Sequence, residues 1–329
     1  MRSLRAAAIN RGWIRESETL LAPRLAFPLA GELPDVVHDA NRHVRDAVLE
    51  DVLRGPGEPI NNPSFFGSEQ EAVVAETDRF GIPLRTVLGT KTGLMRSDPY
   101  YSEAYLAQFY NERYRDLYRP KRFSLSWFLS EQIRAGQRIL ERVASHLPTR
   151  ANVLDIGCGM GGNLIAFRFA GHDVHGCDYG DAYAGRGREL GLDIRTGGVD
   201  AVQAAGPFDL IILSHVIEHV TQPIDLMTHV ASLLKPGGIC FIEVPGLMNL
   251  QQWYAGDILE YLQNAHRWHF TQATLEAVLH RSGLRVREAD QTVRCIASLG
   301  EPISHALPLD GPSVLAEINR LESLRAGTN

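Results

Sequence analysis

No C-x-x-C pair occurs in this chain. Its four cysteines, Cys158, Cys177, Cys240 and Cys295, stand far apart. That spacing offers neither a zinc knuckle nor a disulfide scaffold, and it suits a reducing cytoplasm. No apolar run reaches membrane-spanning length. Excess positive charge is missing as well: a net charge of −6 argues against bulk nucleic-acid binding, which needs a basic face. Internal repeats and low-complexity tracts are absent. The start, MRSLRAAAINRGWIRESETLL, is Arg-rich and mildly amphipathic like a transit peptide, but Glu16 and Glu18 count against one. What remains is ordinary globular composition, 44% hydrophobic and 22% charged over 329 residues. That length suits one large domain with an appendage, or two domains.

The texture changes part-way along. The first 85 residues are irregular, with one good helix over about 34–54, striped by Val37, Val44, Val48 and Leu53 and stopped by Gly55-Pro56-Gly57. An aromatic helix follows, N-capped by Ser102 and ended by Pro120. In it Tyr110, Tyr114 and Tyr118 share a face, which is expected to pack on the next domain or to roof a pocket. A further helix over about 126–146 turns Leu129, Ile133, Ile139 and Val143 inward. From 151 onward, short apolar strands alternate with helical patterns: NVLDI, DVHGCD, LDIRT, FDLIIL and GICFIEV, then LRVREAD and VRCIASL with little between them. Five strands with crossover helices and a final antiparallel pair predict an α/β fold with a doubly wound, mostly parallel seven-stranded sheet. A small, mainly helical N-terminal region precedes it.

The stretch VLDIGCGMGGN sets Asp155, Gly157, Gly159 and Gly161 between a buried strand and a helix. Glycines there let the backbone turn sharply and a ligand lie against it. A dinucleotide fingerprint is G-x-G-x-x-G; this is D-x-G-x-G-x-G. A carboxylate two residues before the first glycine repels pyrophosphate and accepts a hydrogen bond from an ammonium group. The second strand ends at Asp178, about 20 residues past the glycines, where an acid can hold both ribose hydroxyls. Tyr179 beside it is suited to lie along a purine, and Val199 and Asp200 to meet an adenine edge. A nucleoside with an amino-acid tail is S-adenosylmethionine.

Residues from about 126 to 299 resemble the class I S-adenosylmethionine-dependent methyltransferases, including the sugar, natural-product and ubiquinone-type small-molecule enzymes. Four segments match in order: VLDIGCGMGG, GCDYG, FDLIILSHVIEHV and LLKPGGICFIEVPG. The resemblance implies a Rossmann-like fold with S-adenosylmethionine as cofactor. It assigns the methionine part to Asp155, Gly157 and Gly159, with Cys158 and Asn163 beside them. It assigns ribose to Asp178, adenine to Tyr179, Val199 and Asp200, and a place near the sulfonium to Ser214.

Just past the fourth strand stands SHVIEHV, with His215, Glu218 and His219. The same H-x-x-E-H spacing serves one class of zinc peptidase, where it lies on a long helix. Here it follows a strand of an open α/β sheet, and ligands bind beyond such strand ends. Three roles stay open: bracing the loop, general base for an acceptor hydroxyl, or a divalent-metal site. The last rests on relatives with E-x-x-E-H at this place. His215 replaces their first Glu, which makes the donor set softer and less suited to Mg2+. No metal ligand is assigned.

Acceptor contacts are expected from the insertion GLMNLQQWYAGDILEYLQNAHRWHF: Tyr254, His266, Trp268 and His269, since insertions at strand ends shape substrate sites. Upstream, GTKTGLMRSDPYY resembles the knuckle of sugar-modifying relatives, but Gly89 and Thr92 stand where those have cysteines. The shape is kept and the zinc ligands are lacking. The reading is thus an N-terminal region over 1–120, a methyltransferase domain over 121–300 and a tail helix over 301–329. The expected enzyme is cytoplasmic and methylates an oxygen, or else a nitrogen, of a small or carrier-bound metabolite. It needs no nucleic acid and no membrane span, and a homodimer stays open. The alternatives are a non-catalytic scaffold of the same fold and a metal-dependent enzyme.

Overall fold

The computed structural model describes residues 2–29, 41–118, 124–303 and 309–326. Two compact units share the chain. One holds Phe123–Pro245 and Leu275–Leu307; the other holds Met1–Arg122, Gly246–Thr274 and Pro308–Asn329. This division departs from the contiguous boundaries expected from the sequence. The insertion after the fifth strand and the C-terminal helix belong with the N-terminal unit, because their apolar side chains are buried there. Leu250, Ile258 and Tyr261 from the insertion and Val314 and Leu321 from the last helix share one core with Leu25 and Val74.

The first unit is built on seven strands: β1 Asn152–Ile156, β2 Asp173–Asp178, β3 Asp193–Thr196, β4 Phe208–Ser214, β5 Leu234–Glu243, β6 Leu284–Ala289 and β7 Arg294–Leu299. They lie in the order β6-β7-β5-β4-β1-β2-β3. β7 runs antiparallel to both its neighbours, while β5, β4, β1, β2 and β3 pair parallel. The mostly parallel sheet with its antiparallel edge is as expected. Inner strands are buried on both faces, which is why NVLDI and FDLIIL read as unbroken apolar runs. Helix α1 (Leu125–Val143) packs Ile139 and Val143 against Val153, Ile212 and Phe241 of one sheet face. Ser124 caps it by accepting from the Trp127 N–H. α2 (Gly162–Phe169), α3 (Asp181–Glu189), α4 (Pro223–Leu233) and α5 (Gln272–Arg281) complete the series. From β1 the chain steps one way to β2 and β3, then returns to set β4 on the other side of β1. Strand order reverses there, and such a reversal opens a crevice beyond the strand ends.

The second unit has helices at Arg2–Asn10, Arg42–Leu53, Glu103–Glu112, Tyr114–Leu117 and Gly311–Ala326. The expected start of the second of these, with Val37, lies outside the described residues. This unit also contains a four-stranded antiparallel sheet in the order Trp268–His269, Met95–Ser97, Pro83–Gly89, Glu71–Thr77, which the sequence reading did not include. Its edge strand comes from the distant insertion, so no local pattern announces it. Tyr110, Tyr114 and Tyr118 do share a face, with ring centroids 5.0 and 4.9 Å apart in sequence order. They pack against this unit's own core of Phe80, Tyr101 and Phe109. The turn carrying Gly89 and Thr92 is held by Glu69. Its carboxylate accepts from the N–H groups of Lys91 and Thr92 and from the Thr92 hydroxyl. All four cysteines are buried and free.

Candidate active site

Three glycines bend the chain out of β1. Gly157, Gly159 and Gly161 hold φ of +70°, +57° and +78°, a region costly for other residues. Space is short as well: a Cβ on Gly157 would stand 2.7 Å from Val216, and one on Gly159 2.8 Å from the Gln132 amide. The N–H groups of Gly157 and Cys158 both donate to the Cys177 carbonyl, at 2.8 and 3.1 Å. That hooks the loop over the end of β2. Asp178, the last residue of β2, accepts from the Gly159 N–H at 2.8 Å and the Gly180 N–H at 2.6 Å. Each of its oxygens keeps capacity for another donor.

Inside the loop lies a group of acceptors without a cation. Asp155 is 1% exposed, and its one hydrogen bond comes from the Asn163 amide at 3.2 Å. Burial pushes its pKa up to about 8; the Asn163 bond opposes this, and the charges of Asp178 and Glu243 add to it. The side-chain oxygens of Asn163 and Gln132 are buried with no partner among the described residues. Gln132 comes from α1 and donates to the Cys158 carbonyl at 3.4 Å. Asp155, a carboxyl kept uncharged by burial, and the buried amide oxygens of Asn163 and Gln132 beside the same loop are all acceptors, the groups that the N–H bonds of an ammonium need.

At the end of β4 the Ser214 hydroxyl donates to Glu243 at 2.7 Å, and Glu243 also accepts from Arg294 at 3.1 Å. His215 follows in the left-handed region at φ +57°, with its N–H on the Glu243 carbonyl at 2.9 Å. Residues 214–220 form a turn and no helix, so the peptidase arrangement is absent. Glu218 is 1% exposed, and neither of its oxygens has a hydrogen-bond partner among the described residues. Its nearest cationic partners are His215 Nδ1 at 3.4 Å and His219 Nε2 at 3.8 Å. Desolvation disfavours the charged His215 ring, but Glu218 outweighs it and Glu243 adds to the effect. The His215 pKa therefore rises above the ordinary imidazole value.

Tyr179 is 78% exposed, its hydroxyl against Gly198; Val199 is buried. Asp200 points outward and reaches His229 of α4 at 3.5 Å. The four acceptor candidates all lie in the second unit. His269 is fully buried, ringed by Tyr261 at 5.1 Å and His266 at 6.1 Å, and neither ring nitrogen has a partner. Burial lowers its pKa to about 3, so it is neutral. Tyr254 stands 5.3 Å from Tyr261, and Trp268 packs on Phe65. The sequence reading missed Gln132, Glu243 and Arg294. A polar residue among the inward stripe of α1, and an acid closing the apolar strand GICFIEV, were the available signals.

Residues 128–289 match the model of a methyltransferase domain. This stretch is a methyltransferase domain. S-adenosylmethionine is the methyl donor of such a domain, and the acceptor cluster and Asp178 fit its ammonium and ribose groups. The ubiquinone biosynthesis O-methyltransferase of Caulobacter vibrioides is 40% identical over 100 residues, covering 27% of this chain and 39% of that protein. The protein of the same name from Parvibaculum lavamentivorans is 29% identical over 177 residues, covering 46% of this chain and 68% of that protein. The chain thus spans well under two thirds of the first of these relatives. The Burkholderia thailandensis 1,6-didemethyltoxoflavin-N1-methyltransferase, solved with bound 1,6-didemethyltoxoflavin and S-adenosylhomocysteine, superposes with a TM-score of 0.44 at 17% identity, over 62% of this chain and 93% of that one. Among the described residues, no helix is long and apolar enough to cross a membrane.

Proposed function

We propose that this protein is an enzyme that transfers a methyl group from S-adenosylmethionine to an oxygen of a small or carrier-bound metabolite. The observation that carries the reading is buried Asp155 at the glycine loop, hydrogen-bonded to Asn163, with buried acceptor oxygens of Asn163 and Gln132 that have no partner among the described residues. Bound S-adenosylmethionine supplies a methyl group activated by a positive sulfur. Asp155, Asn163 and Gln132 take its ammonium, and Asp178 takes the ribose hydroxyls. Tyr179, Val199 and Asp200 border the adenine, and Ser214 stands nearest the reacting end. His215 or His219 removes the acceptor hydroxyl proton, for which an imidazole is the ordinary group near neutral pH. Tyr254, His266, Trp268 and His269 serve the acceptor. Relatives named as O-methyltransferases favour oxygen over nitrogen. Isothermal titration with S-adenosylmethionine, followed by a screen of metabolite fractions with labelled cofactor, tests the proposal. Absence of cofactor binding would sink the enzyme in favour of a scaffold.

One observation favours a second reading. Neither oxygen of buried Glu218 has a hydrogen bond among the described residues, and two imidazoles stand near its Oε1. A carboxylate with two imidazoles suits a borderline divalent ion better than Mg2+. Such an ion would act as a Lewis acid on the acceptor oxygen. Loss of activity with chelator, and its return with added ion, would select this reading over the histidine base.

A further inference from the structure

A groove of about 340 Å³ opens beside α1 in the methyltransferase unit, within the range of small-molecule sites. Ile139 and Phe241 lie buried beneath it, 3% and 1% exposed, and its polar lining includes Arg138, Arg142, Arg294 and Glu243. The groove shares a sheet face with the cofactor loop. Asp155 alternates with Val153, and Ser214 with Ile212, and both Val153 and Ile212 pack under α1. At the strand ends Ser214 pairs with Glu243, and Glu243 with Arg294, so one row of side chains runs from the cofactor side into the groove. Glu243 stands close enough for its charge to raise the Asp155 pKa.

The guanidinium groups of this groove are largely unspent. Arg142 gives one amino group to Asp290 at 2.9 Å, while its Nε–H is buried and has no partner among the described residues. Arg294 gives Nε to Glu243 at 3.1 Å, and no other donation from its side chain is seen among the described residues. Arg138 is exposed, with no ion pair or hydrogen bond from its side chain among them. Glu243 already serves Ser214 and Arg294, and Glu141 sits exposed on the rim. A desolvated N–H without an acceptor is costly, and a planar fork of donors fits a carboxylate in two contacts.

We propose that this groove is an anion site that takes a small carboxylic acid, with the carboxylate on Arg138 and Arg142. The anion site does not rest on the methyltransferase reading.

Benzoate, benzamide and phenyl phosphate have similar bodies and differ at the head. Each is titrated by ligand-observed NMR into the full chain, with S-adenosylhomocysteine titrated separately. Benzoate should bind at least about tenfold tighter than benzamide, the scale of charge-assisted hydrogen bonds. Arg138→Ala, which removes a side chain with no partner among the described residues, should erase most of that gap and leave S-adenosylhomocysteine affinity and melting temperature unchanged. Arg142→Lys should weaken benzoate more than benzamide. Equal binding of benzoate and benzamide overturns the proposal. So do benzoate affinity indifferent to both substitutions, and no benzoate binding by a protein that binds S-adenosylhomocysteine. Tighter binding of phenyl phosphate than benzoate overturns the carboxylate and assigns a phosphate. Failure of S-adenosylhomocysteine alone to bind would remove the methyltransferase reading and leave the anion site to stand or fall on the benzoate result.

Discussion

Asp155 carries the sharpest consequence at the scale of single residues. Its folded pKa of about 8 means that the free protein holds it protonated at neutral pH. Pairing with an ammonium needs the carboxylate, so binding must release a proton. The sign follows: affinity for S-adenosylhomocysteine should rise with pH across about 6–7.5, by up to about tenfold per unit. Calorimetry in two buffers of different ionisation enthalpy counts the proton. Asp155→Asn should bind more weakly and show a flat profile; a flat wild-type profile would refute the ammonium assignment. His215 gives a second limb. Glu218 raises its pKa, so it becomes a free base only above the usual imidazole range, and turnover should climb with pH through that raised value. Glu218→Gln should move the limb to lower pH. His215→Ala or His219→Ala should cut turnover by about 10²–10⁴-fold if its imidazole is the base, with cofactor affinity within a few-fold. A pH profile unmoved by Glu218→Gln would leave His215 a bracing residue. Asp155 and His215 were legible in the sequence because strand and loop order fixed their surroundings. Gln132 was not: which turn of α1 meets the loop is decided by packing across 25 residues of separation.

Among the elements, the contact of α1 with α2 is the one that shapes the loop. Gly136 sits inside α1, where glycine costs helix stability relative to alanine. Its reason is proximity: a Cβ there would lie 2.5 Å from the Asn163 Cα and 2.7 Å from the Asn163 carbonyl oxygen. Backbone cannot yield as a side chain does. Gly136→Ala should therefore destabilise by about 1–3 kcal/mol despite the better helix former, and should weaken cofactor binding by shifting Asn163 and Gln132. Urea unfolding and titration with S-adenosylhomocysteine measure both; a gain in stability would show that the helices part freely. The seven strands and their helices could be read from sequence because each carries its period or its apolar run locally. The four-stranded sheet of the other unit could not, since its partners at 71–77, 83–89, 95–97 and 268–269 are short and one arrives from far along the chain.

For the molecule as a whole, the path of the chain matters more than its length. The chain leaves the methyltransferase unit after Pro245 and returns at Leu275. The intervening insertion buries Leu247, Leu250, Ile258, Leu259, Tyr261 and Leu262 in the core of the other unit. A fragment cut at 121–300, as the sequence alone would suggest, carries those side chains without their partners. Exposed apolar surface of that extent promotes association. That fragment should aggregate or melt well below the full chain. Replacing 246–274 by a flexible glycine-serine linker should restore a monodisperse fragment, because every strand of the seven-stranded sheet and the whole glycine loop lie outside the excised segment. Such a fragment should keep S-adenosylhomocysteine affinity within a few-fold, since Gln132, Asp155, Asn163 and Asp178 are all retained. It should also lose any acceptor preference that depends on Tyr254, His266, Trp268 or His269. Sedimentation velocity and calorimetry decide it: a linker variant that aggregates as badly as the uncut fragment would mean that the unit does not fold without its insertion.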